Sequence, residues 1–302
     1  MKPVVYILES VDERALSRLP ADRFTVVMPG EEPQDYTTVR AIVVRGKEQV
    51  DRSLIDRCPQ LSVIVRNGVG VNNIDVDYAT ARGIQVLNVP GANADTVAEH
   101  TIGLILMLVR GMYRLVGEVK RGNWNYRDTY AGQELRQLKL GIIGMGDIGQ
   151  KVAGIAGAMG MKISGAGRNQ IQRERVLADS DVISLHVPLT EQTRDMIDAA
   201  ALSRMKPGAF LINTARGEVV DARALMNALD SGHLGGYASD LMVAADDDLR
   251  QRLLDHPDVL ITPHAASLTA LTFFDLSDRG LRHVADHLGG VAVEGMYRVN
   301  EV

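Results

Sequence analysis

Residues 138–161 read LKLGIIGMGDIGQKVAGIAGAMGM, and the stretch fixes more of the fold than any other. Gly144, Gly146 and Gly149 stand at G-x-G-x-x-G spacing, with an apolar strand-like run before them and a helix-like run of small residues after. Each glycine has its own reason in such a turn. Gly144 allows a tight bend, Gly146 lets a diphosphate approach the backbone, and Gly149 lets helix and strand pack closely. The unpaired N–H groups at the helix start then face the phosphates. A parallel α/β unit that binds a dinucleotide is what this pattern predicts.

The rest of the chain follows the same rhythm. VVYIL, FTVVM, AIVVRG, LSVIVRN and IQVLNVP alternate with helix-like stretches before Pro90, and KLGIIG, MKISGAG, DVISLHVP, AFLINTAR, GGYASDLM and VLITP do so later. Two series of strands with covering helices predict two doubly wound parallel-sheet α/β domains, which suits 302 residues with 46% hydrophobic content. Between the series, about Asn93 to Lys120 reads as one long helix with a broad apolar face. A last helix, ALTFFDLSDRGLRHVADHL, closes the pattern. With 33 basic against 38 acidic residues and net charge −5, the chain lacks the concentrated basic surface that nucleic acids need. The apolar run Ile102–Val109 is far shorter than the ~18 residues of a membrane span. One cysteine, Cys58, and an opening MKPVVYILES without a basic leader point to a cytoplasmic protein.

Several segments together resemble the D-isomer specific 2-hydroxyacid dehydrogenases, and among them the phosphoglycerate dehydrogenase-like branch. They are VIVRNGVGVNNIDVDYATARGIQVLNVPGANADTVAEH, NWNYRDTYAGQELRQLKLGIIGMGDIGQKVA, DVISLHVPLTEQTRDMID, MKPGAFLINTARGEVVDARAL and HPDVLITPHAAS, covering most of residues 40–268. The resemblance implies a flavodoxin-like substrate domain from residues 1–92 plus 269–302, with a Rossmann cofactor domain, 93–268, inserted between. It implies hydride transfer between a nicotinamide cofactor and a small 2-oxo or 2-hydroxy acid of phosphoglycerate, hydroxypyruvate or glyoxylate type. A homodimer through the helix 93–120 is implied too, and no metal.

Such chemistry wants a cation for the carboxylate and a proton donor for the carbonyl oxygen. Arg216, in NTARGEVVD, follows an apolar strand where α/β ligands bind, and its planar fork suits a carboxylate or a polarised carbonyl. His264, in ITPHAAS, is the proton carrier by resemblance, and imidazole titrates near neutrality. His186 and His100 lie in family motifs but read as packing or supporting residues. Backbone N–H groups of Gly68, Val69 and Gly70, in RNGVG, are expected to cradle the substrate carboxylate, and Arg45 matches a phosphate contact of the branch. By resemblance the cofactor falls to Gly144, Gly146, Asp147, Ile148, Gly149, Gly167, Arg168, Val187, Pro188, Thr214, Ala215 and Asp240.

Two departures bear on the reading. The family's catalytic glutamate, in D-V-F-x-x-E-P, falls here on Ala245 within SDLMVAADDDL, so Asp246 is the candidate replacement. In GAGRN, Gly167 and Arg168 stand where an acid usually holds the cofactor's ribose, which favours NADP over NAD. Only NQIQRERVLADS then precedes the next strand, so a helix-and-strand piece is missing and the adenine side should lie open. Both departures keep an alternative in view, a nicotinamide-binding sensor resembling the family's corepressors.

Overall fold

The computed structural model describes residues 2–302. The chain divides into two compact units, Met1–Asn93 with Leu268–Val302, and Ala94–Ser267.

In the first unit, β1 (Val4–Ile7), β2 (Thr25–Val27), β3 (Val39–Val44), β4 (Val63–Arg66) and β5 (Gln85–Asn88) form one parallel sheet in the order β2-β1-β3-β4-β5. That is the flavodoxin-like order, with its topological switch point between β1 and β3. Strands such as VRAIVV and VIVR are apolar apart from Arg40 and Arg66 because both faces are covered. On one face lie α1 (Arg52–Arg57) and α2 (Val76–Ala81), each started by an aspartate cap, Asp51 or Asp75. On the other lie the 3-10 turn Glu13–Arg18 and the carboxyl-terminal helix α10 (Ala270–Leu288), which brings Leu281 and Val284 into the core.

The second unit holds α3 (Ala94–Val109), α4 (Met112–Lys120), β6 (Lys139–Ile143), α5 (Asp147–Ala158), β7 (Lys162–Ala166), α6 (Gln170–Asp179), β8 (Val182–Leu185), α7 (Ala199–Arg204), β9 (Ala209–Asn213), α8 (Ala222–Asp230), β10 (Leu234–Ser239), α9 (Asp247–Asp255) and β11 (Val259–Ile261). Its sheet is parallel, ordered β11-β10-β9-β8-β6-β7. Leu140 and Ile142 of β6 pack with α3 and α5, and Ile143 packs with α6 to α9 on the opposite face. Against the doubly wound order 3-2-1-4-5-6, with β6 as strand 1 and β7 as strand 2, strand 3 is absent. The chain leaves β7 through α6 and goes straight to β8, so β7 is an edge strand with Lys162 and Ile163 exposed.

One expected element is corrected. The helix anticipated from 93 to 120 is two helices, broken where Gly111 takes a left-handed φ of 52°. The freed carbonyl of Arg110 accepts the Tyr130 hydroxyl instead. The pieces then differ in character. Most of α3 is buried, whereas α4 buries none of its residues and shows Met112, Val116 and Val119 on its surface.

Candidate active site

The glycine turn joins β6 to α5 at the switch point of the second sheet, where the chain first moves to β7 and then returns to β8. Its three glycines answer to different neighbours. A Cβ on Gly144 (φ 103°) would collide with the His186 carbonyl after β8, and one on Gly149 would strike the Gly144 carbonyl. A Cβ on Gly146 would meet nothing within 4 Å. Internal packing therefore demands the outer glycines but not the middle one, and that leaves clear backbone in front of the amino-terminal turn of α5. A dinucleotide's diphosphate fits this cradle: Gly146 supplies approach, and the first turn of α5 supplies unpaired N–H groups. Asp147 is exposed there, and Ile148 packs inward beneath it. His186 supports the turn from behind. Burial pushes its imidazole down to about 4, and Nε2 lies 2.9 Å from the Ser184 hydroxyl. Val187 packs on the core, and the Pro188 carbonyl accepts the Thr193 hydroxyl at 2.6 Å. Gly167 and Arg168 follow β7 in full exposure, and Arg168 has no ion-pair partner among the described residues.

A polar network ties together the ends of β9, β10 and β11. The Asn213 side chain donates to the Arg216 carbonyl at 2.8 Å and accepts the Ala215 N–H at 3.0 Å, which shapes the turn carrying Arg216. Ser239 Oγ donates to the Asn213 carbonyl at 2.8 Å. A Cβ on Gly217 would collide with the Met242 carbonyl, so the turns after β9 and β10 touch backbone to backbone. Asp240, 2% exposed, accepts the Thr262 hydroxyl at 2.6 Å and the N–H groups of Ala265 and Ala266 at 2.8 Å each. Its own carbonyl accepts the His264 N–H at 2.9 Å. Held at both ends, His264 adopts a left-handed φ of 55°, which costs a non-glycine residue about 1–2 kcal/mol, and its side chain is exposed. Behind this loop His100 Nε2 lies 2.9 Å from Thr262 Oγ1; because that hydroxyl gives its proton to Asp240, His100 is the donor. The Arg216 and His264 turns thus leave the same edge of one sheet from strands that flank β10, about 10 Å apart by ordinary strand spacing. Arg216 is half-buried and turns one N–H back to the Ala215 carbonyl at 2.6 Å.

The first unit presents its own strand-end loops. Arg45 follows β3, with its guanidinium 5.3 Å from the centre of the Phe273 ring of α10. After β4 the expected cradle needs a correction, because the Gly68 N–H is spent on the Arg66 carbonyl at 2.8 Å. Val69 and Gly70 keep their N–H groups without a partner among the described residues. Gly68 has another use. The Arg66 guanidinium occupies the place of its missing Cβ and reaches toward Gly46, so Arg66 stands beside Arg45. Sequence reasoning quoted Arg66 only as the edge of RNGVG. The register pairing Val44 with Arg66 is what sets the two arginine-bearing ends side by side.

Other expected contact residues have partners within the chain. The buried Asp240 carboxylate accepts the three donors of the His264 loop. Ala215 is buried with its N–H on Asn213, and Thr214 Oγ1 lies 3.0 Å from the Thr101 hydroxyl of α3. Asp246 is the N-cap of α9, accepting the Leu249 N–H at 2.9 Å, and the Ala245 carbonyl accepts from Arg250.

Comparison with known proteins gives the chain a family. The sequence profile of the D-isomer specific 2-hydroxyacid dehydrogenase, NAD binding domain, matches residues 102–266. The chain belongs to the D-isomer specific 2-hydroxyacid dehydrogenase family. Members of this family are nicotinamide-dependent oxidoreductases. Hydroxypyruvate reductase of Thermotoga maritima is 39% identical over 245 residues, covering 77% of this chain and 79% of that protein. D-3-phosphoglycerate dehydrogenase of Bacillus subtilis is 37% identical over 244 residues, 77% of this chain, and the match spans only 46% of that longer protein. The crystal structure of an NADPH-dependent glyoxylate/hydroxypyruvate reductase from Sinorhizobium meliloti superposes with a TM-score of 0.87 at 27% identity, covering 99% of this chain and 98% of that one. Among the described residues of this dehydrogenase-family chain, no helix is long and apolar enough to cross a membrane.

The glycine turn generates a direct test. Gly149→Ala is expected to lower stability by about 2 kcal/mol or more, since its Cβ meets fixed backbone. Gly146→Ala should stay within about 1 kcal/mol of the parent yet weaken NADPH binding at least about tenfold. Urea unfolding and fluorescence titration read the two effects; a Gly146→Ala protein with parental NADPH affinity removes the diphosphate from this turn.

Proposed function

We propose that this chain is a cytoplasmic reductase of small 2-oxo acids that uses NADPH in preference to NADH. Arg216 engages the substrate's carboxylate or carbonyl, and His264 gives a proton to the carbonyl oxygen on reduction and takes it back on oxidation. Val69 and Gly70 offer N–H groups to the carboxylate, and Arg45 serves a phosphate or second carboxylate on the substrate's tail. When bound at the glycine turn, the nicotinamide cofactor would supply the hydride. The observation that carries this reading is the pair of neighbouring turns, one bearing Arg216 and one bearing His264, fixed by one network on the carboxyl edge of the sheet that also bears the glycine turn.

The NADP preference is supported by Gly167, around whose Cα nothing lies within 4 Å of a built Cβ, and by the exposed, unpaired Arg168 beside it. An acid there would repel the extra phosphate, and a free guanidinium attracts it. Hydroxypyruvate and glyoxylate are the first substrates to try, phosphohydroxypyruvate the next. A nicotinamide-binding sensor is the second reading, favoured by Ala245 at the glutamate's place and by the edge position of β7. Asp246 remains the candidate carboxylate for His264. Its capping role makes asparagine a clean probe, because Asn caps as well as Asp and only the charge is lost.

One assay separates these readings: oxidation of NADPH or NADH followed by absorbance with the three oxo acids, from about pH 5 to 9. Turnover with NADPH favoured at least about tenfold in kcat/KM is expected, with Arg168→Ala erasing the preference. Asp246→Asn is expected to lower turnover about tenfold, and Asp248→Asn less than about twofold. A preference for NADH refutes the cofactor assignment, equal and negligible effects of the two asparagines remove Asp246, and cofactor binding without any turnover establishes the sensor.

The protein is further proposed to be a homodimer that uses the region of residues 93–120. Support comes from α4, whose Met112, Val116 and Val119 form an exposed apolar stripe, about half exposed each, with Trp124 at 66% just beyond. A cavity of about 340 Å³ lined by Tyr126, Tyr130, Leu108 and Phe210 adjoins it. Burying such a stripe in a second copy removes apolar surface from water. Val116→Glu should therefore shift the sedimentation coefficient from dimer to monomer; a parental protein that already sediments as a monomer ends the proposal.

A further inference from the structure

The loop that carries Arg45 is organised around a side chain from another strand end. Glu9 lies just beyond β1, at the switch point between β1 and β3 in the first unit's sheet. Its Oε1 accepts the backbone N–H groups of Arg45 at 2.9 Å, Gly46 at 2.6 Å, Lys47 at 2.9 Å and Glu48 at 3.2 Å. Four successive N–H groups converging on one point make an anion nest of the kind that loops use for phosphates and carboxylates. Here the chain fills the nest with its own carboxylate. Burial pushes the Glu9 carboxyl up, but the four N–H donors outweigh it and hold the group below its ordinary range. At the working pH the nest therefore contains a full negative charge. Two cations adjoin the nest, Arg45 with its guanidinium over Phe273 and Arg66 with its guanidinium near Gly46.

The consequence concerns direction as much as stability. A loop of RGKE composition has no cap, no proline and no regular structure of its own to fix its dihedrals. Removing the acceptor would leave four N–H groups converging on an empty point, with mutual repulsion and nothing to hold the turn. Arg45 leaves the chain from the first residue of that turn, so its reach depends on the nest remaining filled.

We propose that Glu9 is a positioning residue for substrate binding: its carboxylate fills the amide nest of residues 45–48 and so fixes the backbone from which Arg45 reaches the anionic substrate. This rests on the reading of Arg45 as a substrate contact. Glu9 does not touch the reacting atoms, and its contribution appears in substrate affinity and leaves the chemical step alone.

The test uses Glu9→Ala, Glu9→Gln and Arg45→Met in the full chain, with phosphohydroxypyruvate, which carries the tail phosphate, as substrate. Glu9→Ala is expected to raise the KM for phosphohydroxypyruvate about tenfold, with kcat and NADPH affinity within about twofold of the parent. Glu9→Gln, which keeps an oxygen in the nest without the charge, should fall between. Acetate at about 50 mM should refill the nest in Glu9→Ala, raising its melting temperature and lowering its KM, and should do neither to the parent. The acetate effect on melting is independent of catalysis, so it reads the nest even where phosphohydroxypyruvate is not turned over. An acetate-insensitive Glu9→Ala protein, or one losing kcat and NADPH affinity in step with KM, makes Glu9 a structural tie and overturns the proposal. Parental KM in Glu9→Ala beside a raised KM in Arg45→Met also overturns it but spares the reading of Arg45. Parental KM in Arg45→Met removes that reading, and the proposal with it.

Discussion

The Asp240 carboxylate is out of water, and a charge in that position persists only when donors surround it. It finds them in the Thr262 hydroxyl and the Ala265 and Ala266 N–H groups, all on the next loop. That requirement dictates the path of residues 262–266 and bends His264 into a conformation that an isolated peptide would avoid. Because β10 runs between β9 and β11, the same strand end also meets the Arg216 turn through Ser239, Asn213 and the close approach at Gly217. The two side chains of interest thus inherit their spacing from a shared backbone framework. No contact between them is needed to set it.

The first unit uses a comparable device. There a carboxylate from the end of β1 gathers the N–H groups of the loop after its neighbour β3, as Asp240 of β10 gathers those of the loop after β11. Parallel sheets send every carboxyl-terminal loop out on one edge, and such loops have no ladder to fix them. An acid on one strand end, aimed at the amides of the next, supplies the missing restraint with charge-assisted hydrogen bonds that are stronger than neutral ones. Both sheets thus carry a carboxylate restraint on one of their carboxyl-edge loops. The glycine turn reaches the same end differently, through steric demands at Gly144 and Gly149.

Much of this was legible beforehand. Most strands were visible as short apolar runs rich in Val and Ile, and α10 was bounded by its own amphipathic pattern. The glycine turn was readable from its spacing and context, and the loss of one strand after β7 from the short segment that follows it when set against the family resemblance. What escaped was non-local. The break at Gly111 is accompanied by a bond from Tyr130 to the Arg110 carbonyl, twenty residues before it, and a glycine inside a helical pattern is a weak signal. The Gly68 N–H was assigned to a ligand because nothing in RNGVG says that it folds back on Arg66. The motif names Asp240 without telling that its carboxylate gathers the donors of the loop after β11. Glu9 left no trace in the sequence, as its partners are thirty-six to thirty-nine positions away.

The central proposal is that Asp240 serves the chemistry by holding the His264 loop in place. The most direct measurement is NADPH affinity and single-turnover reduction rate in Asp240→Asn, where the amide's N–H₂ group must face a backbone donor. The account predicts a dissociation constant within about threefold of the parent and a reduction rate lowered about a hundredfold or more. A variant that reduces its substrate at the parental rate but has lost NADPH affinity would contradict it.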